Sequence, residues 1–239
     1  MGQAVDFYSR PDTLPINFYS RPESQFLNAV LYLQMEGTDG STNFIDSSTY
    51  NHTMTALSTT QIDTSTFVSG SASGQFIVSD VHNNPTTGLT TPYATEFLLT
   101  STNDFTFECY ARFNEISGGS FYQDFYDNAF YLYRSINGSL LWYGTDAGGS
   151  NVQTIQSATG ILTAATWYLI RFVKTGLGIT IFLDNILVAQ GTINILSFAY
   201  STAVPVRIGT RFQGWLDDVA FYNYIKEPGG QPINFYSLP

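Results

Sequence analysis

Carboxylate side chains are the first candidates for chemistry in this 239-residue chain. Two carboxylates that hydrolyse a glycosidic bond with retention lie roughly 5–5.5 Å apart, so on a β-strand they occupy alternate positions that share a face. Glu108 is the one acidic residue of its strand-like run, and Asp217 and Asp218 are adjacent, which places them on opposite faces. The two histidines, His52 and His82, are too few for a zinc site. The sequence therefore predicts a protein without enzymatic activity.

Aromatic side chains are dense in residues 121–143, FYQDFYDNAFYLYRSINGSLLWY. Rings with Asp and Asn nearby suit sugar recognition, because a ring stacks on the CH face of a sugar while polar groups bind its hydroxyls. Strand alternation directs about half of these rings to the core. We predict a glycan platform at Tyr122, Tyr126 and Trp142. The alternative is that these rings serve the core and subunit contacts.

A heptapeptide recurs at both ends of the chain. VDFYSRP at residues 5–11 returns as INFYSRP at 16–22 and as INFYSLP at 233–239. Each copy is a β-prone run closed by proline, and an isolated strand leaves its backbone groups unpaired. We predict that an open sheet edge of a partner accepts each copy as an added strand, with avidity from three copies. The alternative is that the copies pack on their own domain as edge strands. The residues expected to contact the partner are Val5, Phe7, Tyr8, Arg10, Ile16, Phe18, Tyr19, Arg21, Ile233, Phe235 and Tyr236.

These copies divide the chain into three parts: an extended N-terminal arm, 1–26, a β-domain, 27–226, and a C-terminal arm, 227–239. Within the β-domain, short alternating runs of Val, Ile, Phe, Tyr and Thr are separated by Gly, Asn, Asp and Ser clusters, a pattern typical of antiparallel sheets. The predicted strands are 29–35, 73–78, 105–113, 129–136, 139–144, 167–174, 180–183, 186–190, 206–210 and 214–222.

Turns and loops are predicted between these strands. The pair Asn137-Gly138 favours a type I′ hairpin turn, which needs positive φ at both central residues. A second tight turn is expected at Asp184-Asn185, since both residues tolerate the left-handed region. The polar stretches 38–48, 80–91 and 146–159 are expected to be loops.

Composition excludes several classes of partner. The net charge of −10 argues against nucleic acid, whose phosphates need a basic patch. No run of eighteen apolar residues exists, so no membrane insertion is expected. The first residues lack the basic and apolar regions of a secretion signal, so we expect synthesis in the host cytoplasm, no Sec export, and the virion surface as the final location. The single Cys109 shares its alternation with phenylalanines and is expected to be a buried, inert thiol.

Four landmarks, in order along residues 27–226, resemble those of concanavalin A-like, laminin-G-like domains. The resemblance implies an all-β fold, an antiparallel two-sheet jelly-roll sandwich of the concanavalin A-like lectin/glucanase type. It also implies that the first and last strands lie side by side, so that the extended N- and C-terminal arms leave the domain together. The landmarks are VLYLQMEG at 30–37 with FIDSS at 44–48 and NHT at 51–53, DFTFE at 104–108, WYLIRF at 167–172 with FLDN at 182–185, and GWLDDVAFYN at 214–223.

The resemblance also implies a calcium site near the junction of the first and last strands. Hard cations take carboxylate and carbonyl oxygens. The alternative is that Asp46 caps a turn and that Asp217 accepts hydrogen bonds from backbone at the sheet edge. The residues expected to converge on calcium are Glu36, Asp39, Asp46, Asp217 and Asp218.

Domains of this type occur in bacteriophage structural proteins. Together with the arms, the resemblance predicts a non-enzymatic virion structural protein, either a capsid decoration or a tail or fibre appendage. The arms would attach it to other virion proteins or to sister subunits at the virion surface, and its lectin-like domain would bind a host glycan. The alternative is a free carbohydrate-binding module.

Overall fold

The architecture is a sandwich of two antiparallel β-sheets. A computed structural model describes residues 28–77, 87–97, 103–116, 130–146, 150–195 and 205–226, together with the backbone of 123–127. Among these residues, no helix is long and apolar enough to cross a membrane. The strands are β1 (Leu31–Leu33), β2 (Thr55–Leu57), β3 (Gln61–Asp63), β4 (Ser73–Phe76), β5 (Gly88–Thr91), β6 (Phe105–Phe113), β7 (Gln123–Asp127), β8 (Phe130–Arg134), β9 (Leu140–Thr145), β10 (Val152–Gln156), β11 (Trp167–Thr175), β12 (Gly178–Leu183), β13 (Ile186–Thr192), β14 (Val206–Ile208) and β15 (Gly214–Tyr222), with a 3₁₀ helix at Thr95–Phe97.

The strands divide into sheets of eight and seven. The eight-stranded sheet has the order β13-β12-β11-β6-β15-β4-β3, with β1 also paired to β15. The seven-stranded sheet has the order β10-β9-β8-β7-β14-β5-β2. Leu31 of β1 lies opposite Phe221 of β15, so the first and last strands are neighbours as the resemblance implied.

Aromatic side chains join the two sheets. Phe105 of β6 stacks on Phe130 of β8, with ring centroids 4.7 Å apart, and on Phe221 of β15 at 5.7 Å. All three rings are fully buried. Cys109 is also fully buried, and burial raises the pKa of its thiol well above the ordinary value, which confirms the expected inert core position. The all-β jelly-roll class predicted from the sequence is confirmed.

Long strands match their predicted positions better than short polar ones. β6 and β15 have the predicted bounds. Two predicted loops are wrong in part, because 80–91 contains β5 and 146–159 contains β10. Both of these strands are short and largely polar, so hydrogen bonding to neighbouring strands, rather than their own pattern, holds them in the sheet.

Of the two predicted tight turns, one agrees with the structure and one does not. Asp184 and Asn185 have φ of 51° and 65°, so the β12–β13 turn uses the left-handed region as predicted. The type I′ prediction at Asn137-Gly138 is wrong, because Gly138 alone of the two has positive φ, 72°. The Gly138 N–H donates to the Ser135 carbonyl at 3.0 Å. The chain therefore forms a longer loop in which glycine follows an ordinary turn, the usual three-residue hairpin.

Candidate functional site

One row of residues crosses the outer face of the seven-stranded sheet. Residues opposite one another on paired strands share a face of the sheet. The neighbouring row faces the core, since its members Leu89, Ile208 and Leu132 are fully buried. The row on the opposite, outer face contains Thr55, Thr90, Arg207, Tyr131, Tyr143 and Thr154, with the backbone of β7 between Arg207 and Tyr131.

Two tyrosines occupy adjacent positions in this outer row. Tyr131 and Tyr143 lie opposite each other on β8 and β9, with ring centroids 5.6 Å apart and ring planes at 69°. This edge-to-face packing is favourable for aromatic pairs. Both rings are partly exposed, and the next residue of the row, Thr154, is exposed. The pair therefore presents apolar ring surface and phenolic hydroxyls side by side.

The other half of the row is polar. Arg207 of β14 is partly exposed and lies opposite Thr90 on one side and Asp127 on the other. Guanidinium and hydroxyl groups bind sugar hydroxyls through directed hydrogen bonds, whereas rings bind sugar CH groups. The row thus combines the two kinds of group that recognise a carbohydrate.

The structure corrects the predicted aromatic platform. Trp142 is fully buried, because strand alternation places it on the core side of β9, directly before the outward Tyr143. Tyr126 lies between Ile208 and Leu132 in the strand register. Tyr122 lies outside the described residues. The sugar platform predicted for Trp142 is therefore wrong, whereas Tyr131 and Tyr143 of the same aromatic segment are partly exposed.

The outer face of the eight-stranded sheet is closed at its centre. Glu108 of β6 is fully buried there, with Arg171 of β11 3% and Lys226 4% exposed. Tyr222 and Tyr32 are also buried on this side and pack in a small apolar cluster. A ligand has no access to this part of the face.

One end of that face is partly exposed. The Arg112 guanidinium lies 4.8 Å from the ring centroid of Trp215, and the Trp215 indole N–H donates to Asp63 at 2.6 Å. Burial alone would raise the pKa of Asp63, but hydrogen bonds from Ser65 and Trp215 outweigh it and lower the pKa. These groups satisfy one another, so they fasten β15 to β3.

A family comparison now identifies the fold. The laminin-G-type model of the concanavalin A-like lectin/glucanases superfamily matches residues 83–228, more than half of the chain. The chain belongs to this superfamily. Among curated proteins, none matches its sequence.

Solved structures with the same fold include binding domains of bacterial toxins. The binding domain of Paraclostridial Mosquitocidal Protein 1 has a TM-score of 0.64 at 17% identity, over 84% of this chain and 50% of that one. The binding domain of Botulinum neurotoxin DC in complex with rat synaptotagmin II gives 0.65 at 12%, over 87% and 50%. The same binding domain in complex with SialylT gives 0.59 at 13%, over 84% and 49%. This lectin-like domain thus spans about half the length of these chains, and at such identity the likeness is one of fold.

The acidic residues predicted to bind calcium do not come together in the lectin-like domain. Glu36 accepts hydrogen bonds from the N–H and hydroxyl of Ser71, at 2.9 and 2.6 Å. Asp39 accepts from the Thr64 N–H at 3.1 Å. Asp218 accepts from the Tyr32 hydroxyl at 2.9 Å.

The two remaining acidic residues of that set accept hydrogen bonds from backbone N–H groups. Asp46 accepts from the backbone N–H groups of Tyr32, Ser48 and His52 at 2.8–2.9 Å. Asp217 accepts from those of Val68 and Ser69 at 3.0 and 2.9 Å. Within the part of the chain that the structure describes, no group of three or more acidic, histidine or cysteine side chains is arranged to hold a metal ion. The predicted five-residue calcium site is therefore wrong, and the alternative roles for Asp46 and Asp217 hold.

A buried histidine links Asp46 to the 3₁₀ helix. His52 Nδ1 lies 2.6 Å from Asp46 Oδ2, and Nε2 lies 2.7 Å from Glu96 Oε1. The His52 side chain is 7% exposed. Burial by itself lowers the pKa of His52, but its hydrogen bonds to both carboxylates outweigh burial and raise it. The sequence did not reveal this arrangement, because Glu96 is 44 residues from His52.

Asp217 has an unusual ionisation. Burial and the charge of Asp218 raise the pKa of Asp217 to about 8, although the backbone N–H groups of Ser69, Val68 and Asp218 lower it in part. Its second carboxylate oxygen, Oδ1, has no hydrogen-bond partner. Asp217 is therefore largely protonated at neutral pH.

All three heptapeptides lie outside the described residues. Their predicted role as arms stays a prediction, as does the division of the chain at residues 26 and 227.

Proposed function

We propose that this lectin-like domain is a non-enzymatic binding module that recognises a glycan on the outer face of its seven-stranded sheet. The observation that carries the proposal is the partly exposed pair of Tyr131 and Tyr143, with ring centroids 5.6 Å apart, in one row with Arg207. A sugar ring stacked on a tyrosine leaves its hydroxyls free for polar groups of the same row.

The choice of this face follows from burial. The centre of the other outer face contains a buried cluster of Glu108, Arg171 and Lys226, so it offers no platform. On the seven-stranded sheet, Thr154 and Gln156 beside the tyrosines are exposed. The face around Tyr131 and Tyr143 thus carries partly exposed aromatic rings beside exposed polar residues.

The similar structures support a role in recognition. Both are binding domains of toxins, one of them in complex with SialylT and with rat synaptotagmin II. Each of those chains is about twice as long as the matched region, so transfer of glycan binding to this chain is part of the proposal.

The setting that we propose is a virion or a comparable assembly. Three copies of one heptapeptide, at 5–11, 16–22 and 233–239, support anchoring by repeated weak contacts to capsid or tail proteins or to sister subunits. The second candidate, a free carbohydrate-binding module, is favoured by the tyrosine pair alone. Assembly of the full chain distinguishes the two.

A glycan array with the full chain tests the binding function. We expect a restricted set of glycans to bind. Tyr131→Ala and Tyr143→Ala should each weaken binding about tenfold or more, because stacking of the tyrosine ring on the sugar supplies much of the contact. Phe67→Ala removes another exposed ring, 43% exposed, and is the matched control expected to bind as wild type. An empty array, or equal loss in all three variants, would contradict the proposal.

Two further measurements separate the parts of the proposal. Tyr131→Phe keeps the ring and removes the hydroxyl, so stacking predicts a smaller loss than for alanine. Incubation of the bound oligosaccharide with the protein should return it intact. Recovery of shortened products would show hydrolysis and overturn the non-enzymatic assignment.

A further inference from the structure

A row of partly exposed side chains crosses the outer face of the eight-stranded sheet near one end of its strands. Residues opposite one another on paired strands share a face of the sheet. The row therefore forms one continuous surface of two indole rings, one cation and two amides. Its members, in order across β3, β4, β15, β6 and β11, are Gln61, Gln75, Trp215, Arg112 and Trp167.

The row is accessible from the ends of the strands. Toward the centre of the sheet, Asp217 of β15 and Leu169 of β11 are buried. In the opposite direction, Asn114 and Ala165 are exposed, and Ile77 is exposed by 41%. A ligand can therefore approach the row from this side.

Arg112 is the cation of the row. Its guanidinium lies 4.8 Å from the ring centroid of Trp215. Within the described residues, this guanidinium has no carboxylate partner and donates no hydrogen bond. A guanidinium stacked on an aromatic ring keeps its N–H donors at the edge of its plane, where one carboxylate can accept two of them. Arg112 is therefore a preformed anchor for a carboxylate.

Trp215 positions this anchor. Its indole N–H donates to Asp63 Oδ2 at 2.6 Å, which fixes the ring against which the guanidinium stacks. Asp63 also accepts hydrogen bonds from Ser65 at 2.6 Å and from Gln75 at 3.2 Å. The Asp63 carboxylate is thus bound by neighbours other than Arg112, and the guanidinium stays available.

Trp167 lies on the other side of Arg112. The two residues are opposite each other on neighbouring strands, whose backbones are about 4.8 Å apart. In the described part of the chain, no group accepts a hydrogen bond from the Trp167 indole N–H. An aromatic ring suits the CH face of a sugar, and an indole N–H can donate to a sugar hydroxyl. Trp167 therefore supplies what a sugar body requires beside a carboxylate anchor.

We propose that Arg112 and Trp167, with Trp215 as a positioning residue, form a second site that binds a carboxylate-bearing sugar. The chain carries a net charge of −10, which repels polyanions such as acidic peptides. A sugar acid brings a single negative charge, which matches the single cation of the row. The site lies on the other sheet from Tyr131 and Tyr143 and does not depend on the glycan surface proposed there.

An NMR titration of the full chain with two matched sugars tests the proposal. Methyl galacturonide and methyl galactoside differ only in a carboxylate that replaces a CH₂OH group. The chain has three tryptophans, so three indole N–H signals report on binding. We expect the galacturonide to shift the signals of Trp167 and Trp215, while that of the fully buried Trp142 stays in place. The galactoside should bind about tenfold or more weakly, because it lacks the charge-assisted hydrogen bonds.

Substitutions at Arg112 test the anchor. Arg112→Gln should weaken galacturonide binding about tenfold or more, and Arg112→Lys should lose less, because it keeps the charge but not the paired N–H donors. Arg211→Gln removes the same charge from another partly exposed arginine and is the matched control, expected to bind as wild type.

Substitutions at Trp215 test its positioning role. Trp215→Ala should lower the ratio of galacturonide affinity to galactoside affinity, since the guanidinium loses the ring that orients it. Trp215→Phe keeps a ring beside Arg112 and should restore most of that ratio. A purely structural role of Trp215 would weaken binding of both sugars equally and leave the ratio unchanged.

Several results would overturn the proposal. They are equal affinity for the two sugars, equal losses in Arg112→Gln and Arg211→Gln, or a galacturonide-induced shift of Trp142 alone, which lies beside Tyr143. Tighter binding of a tetraglutamate peptide than of the galacturonide would assign the site to a protein partner instead. Binding of a neutral glycan by Tyr131 and Tyr143 is a separate result, since it requires neither Arg112 nor Trp167.

Discussion

Arg171 lies directly opposite Glu108 on β11 and β6, and it donates two hydrogen bonds to a single carboxylate oxygen, Glu108 Oε2, from Nε and Nη2 at 3.0 Å each. The other oxygen, Oε1, contacts the Lys226 ammonium group, which also donates to the Tyr222 hydroxyl at 3.1 Å. One buried carboxylate therefore forms ion pairs with two buried cations. The arrangement ties the residues after β15 to the middle of the sheet.

We predict unequal effects when members of this cluster are removed. Glu108→Gln removes the carboxylate charge that Arg171 and Lys226 share and should cost about 3–5 kcal/mol of unfolding free energy, the usual range for a broken buried ion pair. Lys226→Met leaves Glu108 still paired with Arg171 and should cost less. Urea unfolding of the two variants measures the difference. Equal losses would show that Glu108 and Lys226 form an isolated pair.

The pKa of His52 predicts a pH-dependent stability. Since this pKa is raised on folding, protonated His52 stabilises the fold fully below its ordinary value near 6.5, and this contribution is lost as pH rises through the raised pKa. The pKa values of Asp46 and Glu96 are lowered, so their contributions are lost as pH falls. His52→Gln should therefore cost roughly 1–3 kcal/mol at pH 6 and less at pH 9. Urea unfolding at both pH values gives the comparison, and an equal loss at both would contradict a charged His52.

At Asp217, unlike at His52, we predict that a substitution raises the stability of the fold. Its pKa of about 8 means that the neutral form fits the folded protein, so stability falls as pH rises from the ordinary aspartate range through 8. Asp217→Asn retains an oxygen that can accept from Val68 and Ser69, and it cannot ionise. We expect the variant to exceed wild type in melting temperature at pH 9, with the gap closing toward pH 4.

The exposed Asp39 provides the control for this experiment. Asp39→Asn makes the same substitution at an exposed position and controls for the effect of the amide itself on melting temperature. A lower melting temperature of Asp217→Asn at every pH would mean that the charged carboxylate is the form the fold requires.

Much of the fold could be predicted because its longest strands repeat a clear pattern. β6 and β15 are nine-residue runs between turn residues, and their predicted bounds agree with the structure. β10, with the sequence VQTIQ, has few apolar residues, and this pattern predicts a loop. Such a strand depends on pairing with β9, which is a tertiary interaction that local sequence does not express.

The candidate site was harder to predict because the sequence of β9 does not alternate between apolar and polar residues. Its first four residues, Leu140 to Tyr143, are all apolar or aromatic, so alternation alone does not show which of them face the core. Only the register with β8 and β10 places Trp142 inside and Tyr143 outside. Contacts between distant segments, such as His52 with Glu96, depend in the same way on the complete topology.

Trp142 and Tyr143 are neighbours in sequence but lie on opposite faces of β9. We therefore predict that their alanine variants differ in stability and in glycan binding. Trp142 is fully buried and packs 6.5 Å from Phe130 between ring centroids, so Trp142→Ala should cost about 3–5 kcal/mol by opening a cavity. Tyr143→Ala removes a partly exposed ring and should cost less than about 1.5 kcal/mol, while glycan binding is weakened. Thermal melting and glycan titration of both variants separate stability from recognition. Full glycan binding by Tyr143→Ala, with its melting temperature unchanged, would show that this face of the sheet is not the binding surface.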